Sequence, residues 1–439
     1  MLTRQIAKSR VALFLLAAVL ALTGLLPASA RAERPILEVS GYARPALSSP
    51  ELKPAWTFRV DNNPYDGSAP IASIAEDNLV LTFVNRKLVA LQAATGKKRW
   101  TYGTGLQPVL AYEKGRVYGV DGEGRVYALR ASDGKRLWLS RVGGADEIVP
   151  LGDRVYVAHG TNLHALDGAT GKRLWTATVP AAVGPGYGLM ETDGVVLRKY
   201  TISGAITFSS LEAFDRKTGK HLWSLTQDLP LLSKDGLIYS LEGDWPVPDQ
   251  DLTPERSLTL SLIEPRTGSI RDSRVFRWTI PGQPPYVVGN KGAFVDGDSI
   301  YVYQHQTVVR YRLEDAGEAE PLEKWTIPPN VKPLYKLHGG RLLFQDATTG
   351  GLVGVKTVNG QTIGWNGDNP AYRVDLFDKF VAIAQTDGKL HVLDYASAKP
   401  LFQVRTDSRT YGPTLKTGNM LIIQAKDKLI GVKLPAKLS

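Results

Sequence analysis

The sequence predicts an all-β protein: a single β-propeller of about eight four-stranded antiparallel blades, its ring closed when the N-terminal strand joins the last blade. Three observations carry this. One 13-residue segment recurs four times without gaps, each unit of 37 to 50 residues holds about four strand-sized runs, and the strand missing from the last unit stands near the start of the chain. Composition agrees, since 43 glycines, 27 prolines and recurrent aromatic and β-branched residues favour short strands and frequent turns. The 439 residues, 43% of them hydrophobic, can bury a large core, and repeat folds reach this length as one unit.

Residues 1–32 stand apart. Arg4, Lys8 and Arg10 give a positive start, an uncharged run from Val11 to Ala30 follows, and small residues at Ala28, Ala30 and Ala32 suit a signal peptidase. Together these predict a secretory signal peptide with cleavage at Ala30 or Ala32; the rival reading is an uncleaved membrane anchor. The expected organisation is signal peptide 1–32, linker 33–53, propeller 54–435 and tail 436–439, in a secreted, extracytoplasmic protein. The chain has no cysteine, so disulfides, thiolate chemistry and a lipid-bearing cysteine are all excluded, and stability rests on core and topology.

The four aligned segments are 88–100, 126–138, 163–175 and 211–223. Each runs apolar-x-apolar-apolar, then a short polar stretch ending in Thr-Gly or Asp-Gly, then a basic residue, then Trp. The pairs are Gly96 and Trp100, Gly134 and Trp138, Gly171 and Trp175, and Gly219 and Trp223. The apolar start ends a buried strand. The glycine takes the left-handed conformation of a tight turn, at which other residues are strained. The tryptophan opens the returning strand and is large enough to fill the gap between sheets, with its indole N–H on a backbone acceptor. A second hairpin precedes each segment, as at Gly115–Val120 and Asp153–Val157. A four-stranded sheet of this kind cannot bury both faces alone, and radial stacking solves that.

Later units keep the pattern with losses. Leu258 to Gly268 retains strand and turn, but its aromatic comes only at Trp278; Trp325 and Trp365 end two further weak units; in the unit 390–402 Ala398 stands in the Gly place and Phe402 in the Trp place. The last unit, 420–432, stops before any Gly-plus-Trp strand, and Ala55-Trp56-Thr-Phe-Arg-Val60 supplies it from the other terminus. Counting inner hairpins gives nine candidates, a range of seven to nine blades. Joining the two ends in one sheet also removes exposed strand edges.

The motif Ala-Leu-Asp-x-x-Thr-Gly-Lys-x-Leu-Trp, repeated at 37- to 49-residue spacing, resembles the repeat of pyrroloquinoline-quinone-like propellers. That family includes quinoprotein alcohol dehydrogenases and the propeller lipoprotein of the outer-membrane β-barrel assembly machinery. The resemblance is best over 79–225 and reaches 432 in fainter copies. It implies the propeller fold and says little of function, because its Gly and Trp positions are architectural.

A quinone enzyme of this family holds its cofactor over a Trp floor beside calcium, which needs six to eight oxygen ligands. The nearest concentration of carboxylates is the Pro-rich stretch with Asp244, Trp245, Asp249 and Asp251, which reads more simply as a loop folded over one face, a candidate for partner contact. The six histidines form no metal pattern; His164 and His391 share one repeat position and are expected between blades, and His159 with His164 offers at most a weak zinc pair. No serine lies in a nucleophile-elbow context. Tyr118, Tyr127, Tyr156, Tyr301 and Tyr303 read as packing residues.

The formal charge of +10 falls to +6 without the basic residues of the export segment, Arg4, Lys8, Arg10 and Arg31. These charges are scattered singly, with no stripe to suit nucleic acid. The expectation is a monomeric, non-catalytic binding or scaffold module, without a cofactor or metal, for a protein or an anionic cell-envelope component. The alternatives are a glycan or small-molecule binder acting through the central funnel and a dehydrogenase using pyrroloquinoline quinone and calcium.

Overall fold

In a computed structural model of the chain, the described residues are 46–61, 73–180, 182–184, 186–203, 207–242, 253–284, 286, 290–314 and 320–438. Among them lie nine four-stranded antiparallel sheets, eight of them simple meanders. Blade 1 consists of Ile74–Glu76, Leu79–Val84, Lys87–Gln92 and Lys98–Tyr102. Blades 2 to 8 occupy residues 107–140, 147–178, 187–225, 232–279, 290–326, 331–365 and 371–405 in turn. All nine expected inner hairpins become sheets, the upper end of the predicted range and one more than the usual four to eight.

Ring closure follows from two facts. The ninth sheet takes Leu415–Thr417, Met420–Ala425 and Lys428–Lys433 from the end of the chain and Trp56–Arg59 from its start, with Trp56 opposite Gly431 and Arg59 opposite Lys428. The apolar side chains gather in nine clusters, each spanning one blade-to-blade interface, and one joins blade 9 to blade 1 through Trp56, Val80, Leu91 and Leu429. A linear stack of nine sheets has only eight interfaces. Innermost strands also touch across the seam, Leu415–Thr417 against Ile74–Glu76. Just upstream, the chain lies along the outer strand of blade 8, where Leu52 N–H donates to Gln403 O and Gln403 N–H to Pro50 O.

The repeated Gly and Trp are two halves of one joint. Each Trp reaches forward onto the glycine turn of the next blade: Trp56 onto Gly96, Trp100 onto Gly134, Trp138 onto Gly171, Trp175 onto Gly219 and Trp223 onto Gly268. Each indole N–H donates to a carbonyl of that next turn at 2.7–3.1 Å, accepted by Ala93, Ala131, Gly168, Arg216 and Pro265 in order. The joint demands glycine twice over. Gly171 has φ +71°, and a Cβ there would stand 2.4 Å from the Trp138 ring. Gly171→Ala is therefore expected to cost about 2–4 kcal/mol, from backbone strain plus overpacking; urea unfolding gives the value, with Gly360→Ala, where a Cβ meets open space, separating the contact from the conformational part.

Blade 5 has no such wedge: Asp272 stands four residues after Gly268, and Phe276 with Tyr311, ring centroids 5.0 Å apart, fills the interface with blade 6 instead. Phe402 buries its ring between blades 8 and 9 without an indole bond.

The residue four places before the turn glycine ties the turn together. Asp167 accepts from the Thr170 amide at 2.8 Å and hydroxyl at 2.7 Å, and Asp394 does the same with Ser397. These bonds hold both carboxyls below the usual carboxylate range, as do Arg266 and then Thr218 at Asp215. A carboxyl whose value is depressed by folding stabilises the fold above its unfolded value and loses that contribution as pH falls through the folded one. The urea midpoint is thus expected to hold steady from about pH 7 to 5 and to decline below about pH 4.

Candidate functional site

The innermost strands line the ring's axis, and four of the large apolar side chains that stay exposed lie on them: Tyr187 on blade 4, Leu334 and Tyr335 on blade 7, and Tyr372 on blade 8. The cause at blade 7 is local. The strand Val331–His338 pairs with Arg341–Asp346 at both ends, but its register shifts between Pro333 and Leu337, so the residues between bulge out of the ladder. Tyr335 sits in the bulge with φ +49°, a conformation that bulky residues rarely adopt.

Tertiary contacts hold it there. The Tyr335 hydroxyl donates to the Lys291 carbonyl at 2.7 Å, and its ring meets Tyr303 edge-on at 4.8 Å. It crosses directly over Gly292, where a Cβ would lie 2.6 Å from the ring. Glycine in blade 6 thus lets an aromatic of blade 7 lie flat across the interface.

Tyr335, Gly292, Leu229, Leu241, Lys199 and Tyr187 share a cleft of about 660 Å³ bridging blades 4 to 7. On its blade 4 side Lys199 is nearly buried and paired with Asp228, and its ammonium lies 5.7 Å from the Tyr187 ring centroid. Burial alone lowers a lysine's affinity for its proton; here the Asp228 carboxylate outweighs that and raises it, so Lys199 stays charged. Exposed Lys332 and Lys336 flank the bulge. The result is an aromatic, basic, partly apolar mouth.

That lining does not suit a quinone–calcium pair. Among the described residues the cleft offers one carboxylate, Asp228, already joined to Lys199, and no three of His, Cys, Asp and Glu are placed to hold a metal. His159 is half-exposed beside Asp146, whereas His164 is buried with Nδ1 2.9 Å from the Thr176 hydroxyl. His391 is fully buried in blade 8. Tyr118, Tyr127, Tyr156, Tyr301 and Tyr303 are all buried. Ala30, Ala32, Asp244, Trp245, Asp249 and Asp251 lie outside the described residues. Among the described residues no helix is long and apolar enough to cross a membrane.

The residues of the cleft were not singled out from the sequence. Lys199 is a legible signal, since Arg198 and Lys199 put two adjacent charges inside the strand Val-Val-Leu-Arg-Lys-Tyr; Tyr335 gives none, because a bulge inside one strand depends on its partner's register.

Comparison with known proteins places these features in context. The family model described as outer membrane protein assembly factor BamB matches residues 46–184 and 140–366. The tetrathionate hydrolase of Acidithiobacillus ferrooxidans is 26% identical over 213 residues, 44% of this chain and 41% of that protein, so the chain spans less than half of that relative. Among solved structures, BamB from Moraxella catarrhalis gives a TM-score of 0.47 at 13% identity, covering 87% of this chain and 100% of that one. The quinohemoprotein alcohol dehydrogenase ADHIIG from Pseudomonas putida HK5 gives 0.44 at 14% identity, over 89% and 77%. The names span an assembly factor and enzymes.

Proposed function

The chain belongs to the family described as outer membrane protein assembly factor BamB, and from that premise we propose that it is a non-catalytic scaffold of the cell envelope that holds a protein partner at the mouth of its central channel. One observation supports this most: exposed Tyr187, Leu334, Tyr335 and Tyr372 lie on channel-lining strands, Tyr187 and Tyr335 share one cleft, and Lys332 and Lys336 flank Tyr335. Tyrosines supply large, stiff contact area at low entropic cost, and surface aromatics grouped in this way mark interaction sites. Basic neighbours favour an acidic partner segment.

The reading includes export by way of residues 1–32 and residence outside the cytoplasm. A photo-crosslinking amino acid at Leu334, beside the bulge, tests it in native cells. The expected result is one dominant envelope-protein adduct; a smear of unspecific adducts, or none, would count against a scaffold role.

A small-molecule role for the channel draws on the cleft's size, within the range of ligand sites. Thermal-shift screening with glycans separates the two readings, since a scaffold shows no saturable shift.

A further inference from the structure

A second cleft, of about 600 Å³, opens between blades 3 and 4 and is independent of the channel. Its walls are apolar, with Val179 and Pro180 from the end of blade 3 and Ile202, Phe208 and Leu225 from blade 4. At its floor lies Glu212, only 3% exposed. The chain's own repeats show how unusual that is. The same place, second in the aligned segment, holds buried Val89 in blade 1, buried Tyr127 in blade 2 and buried His164 in blade 3, facing the fourth strand at Thr101, Leu139 and Thr176, so no other of these copies puts an acid there. In blade 4 a carboxylate occupies it, opposite Ser224.

A carboxylate taken out of water is strongly disfavoured unless bonds and charge offset the loss. Here the Ser224 hydroxyl donates to Glu212 Oε2 at 2.6 Å, and His221 Nε2 lies 2.7 Å from the same oxygen. Nε2 is also 3.1 Å from the Ser224 hydroxyl. This triangle is not a nucleophile relay: the serine spends its proton on the acid, and the same ring nitrogen faces both partners.

The fixed positive charge is what blade 4 has given up. Sister blades carry Lys98, Arg136 and Arg173 at the place that His221 fills, two residues before the wedge Trp. Arg198, directly across the strand pair from Glu212, turns instead to Glu147 and the Gly186 carbonyl, at 2.7 and 2.8 Å. A buried acid thus faces an apolar cleft at a place where blade 4 carries a histidine and the sister blades an exposed Lys or Arg, and the half-exposed imidazole covers the acid from the solvent side.

We propose that this cleft binds a primary ammonium group on an apolar chain, the ammonium on Glu212 and the chain along Phe208, Ile202 and Val179. The chemistry fits a free alkylamine or the side chain of a lysine on another protein. The aliphatic stem replaces water on the apolar walls, and the ammonium brings a full positive charge to the buried carboxylate.

The test uses the full-length purified protein, with binding read by ligand-observed NMR and calorimetry. n-Hexylamine and an acetyl-lysine-amide peptide are the amine probes; n-hexanol and hexanoate are the controls. Hexylamine or the peptide is expected to bind saturably, at least tenfold tighter than either control, and the stronger of the two identifies the source. Glu212→Gln is expected to abolish that preference while hexanol binding persists. Val179→Trp, which fills the cleft and leaves Glu212 in place, is expected to remove all binding and so guards against misfolding of the first variant. Equal binding of hexylamine and hexanoate, no amine binding at all, or an unaltered preference in Glu212→Gln would overturn the assignment.

Discussion

Trp56→Ala is expected to destabilise the entire ring by about 3–5 kcal/mol, the cost of emptying a buried tryptophan site. Trp56 is buried against Gly96 of blade 1 and Gly431 of its own sheet, where a Cβ at Gly431 would come within 2.1 Å of the indole. Its N–H donates to Ala93 O at 2.7 Å. Truncation removes ring contacts and leaves that carbonyl to water, and the strand Trp56–Arg59 loses its main anchor on 428–431. Trp138→Ala, at the joint between blades 2 and 3, should cost about as much, since the joint is the same. The two should differ in where the structure opens. Hydrogen exchange is expected to accelerate first in blades 9 and 1 for the Trp56 variant and in blades 2 and 3 for the other. A Trp56 variant as stable as the parent would mean that the two ends are not mutually required.

The second large effect concerns the channel. Tyr187→Ala combined with Tyr335→Ala is expected to lower the yield of the Leu334 crosslinked adduct at least tenfold, with thermal stability within a few degrees of the parent. Interface tyrosines of this sort commonly contribute on the order of 2 kcal/mol each to binding. Tyr335 also sits at φ +49°, where alanine is strained as well, so the variant keeps the backbone strain and loses one partly exposed hydroxyl bond to Lys291. Both rings are more than two-fifths exposed, which is why stability should hold while binding falls. Equal adduct yields would remove the aromatic mouth from the scaffold reading.

The fold was legible because its determinants are local and repeated. Gly96, Gly134, Gly171 and Gly219 announce left-handed turns, Trp100, Trp138, Trp175 and Trp223 announce wedges, and the orphan strand at Trp56 announces closure. What the spacing does not tell is that each Trp serves the glycine of the following unit, because a repeat cannot say which neighbour it faces. The clefts were harder. Tyr335 depends on a register shift, and the Lys199–Asp228 pair joins two blades. Glu212 was readable in principle, as the one acid among the Leu-x-Ala-Leu copies, yet its meaning appears only when strand pairing places Ser224 opposite it and the His221 ring beside it.

The seam between the two termini has a temporal side. Ribosomes make Trp56 long before its partners Leu429 to Gly431, so this indole has nowhere to dock until the ninth blade has emerged. Any product cut short upstream of Met420 keeps an uncapped first blade and a bare strand edge, the very features that proteases and chaperones recognise. The closure is in effect a test of the ring, passed only by chains that extend through the ninth blade.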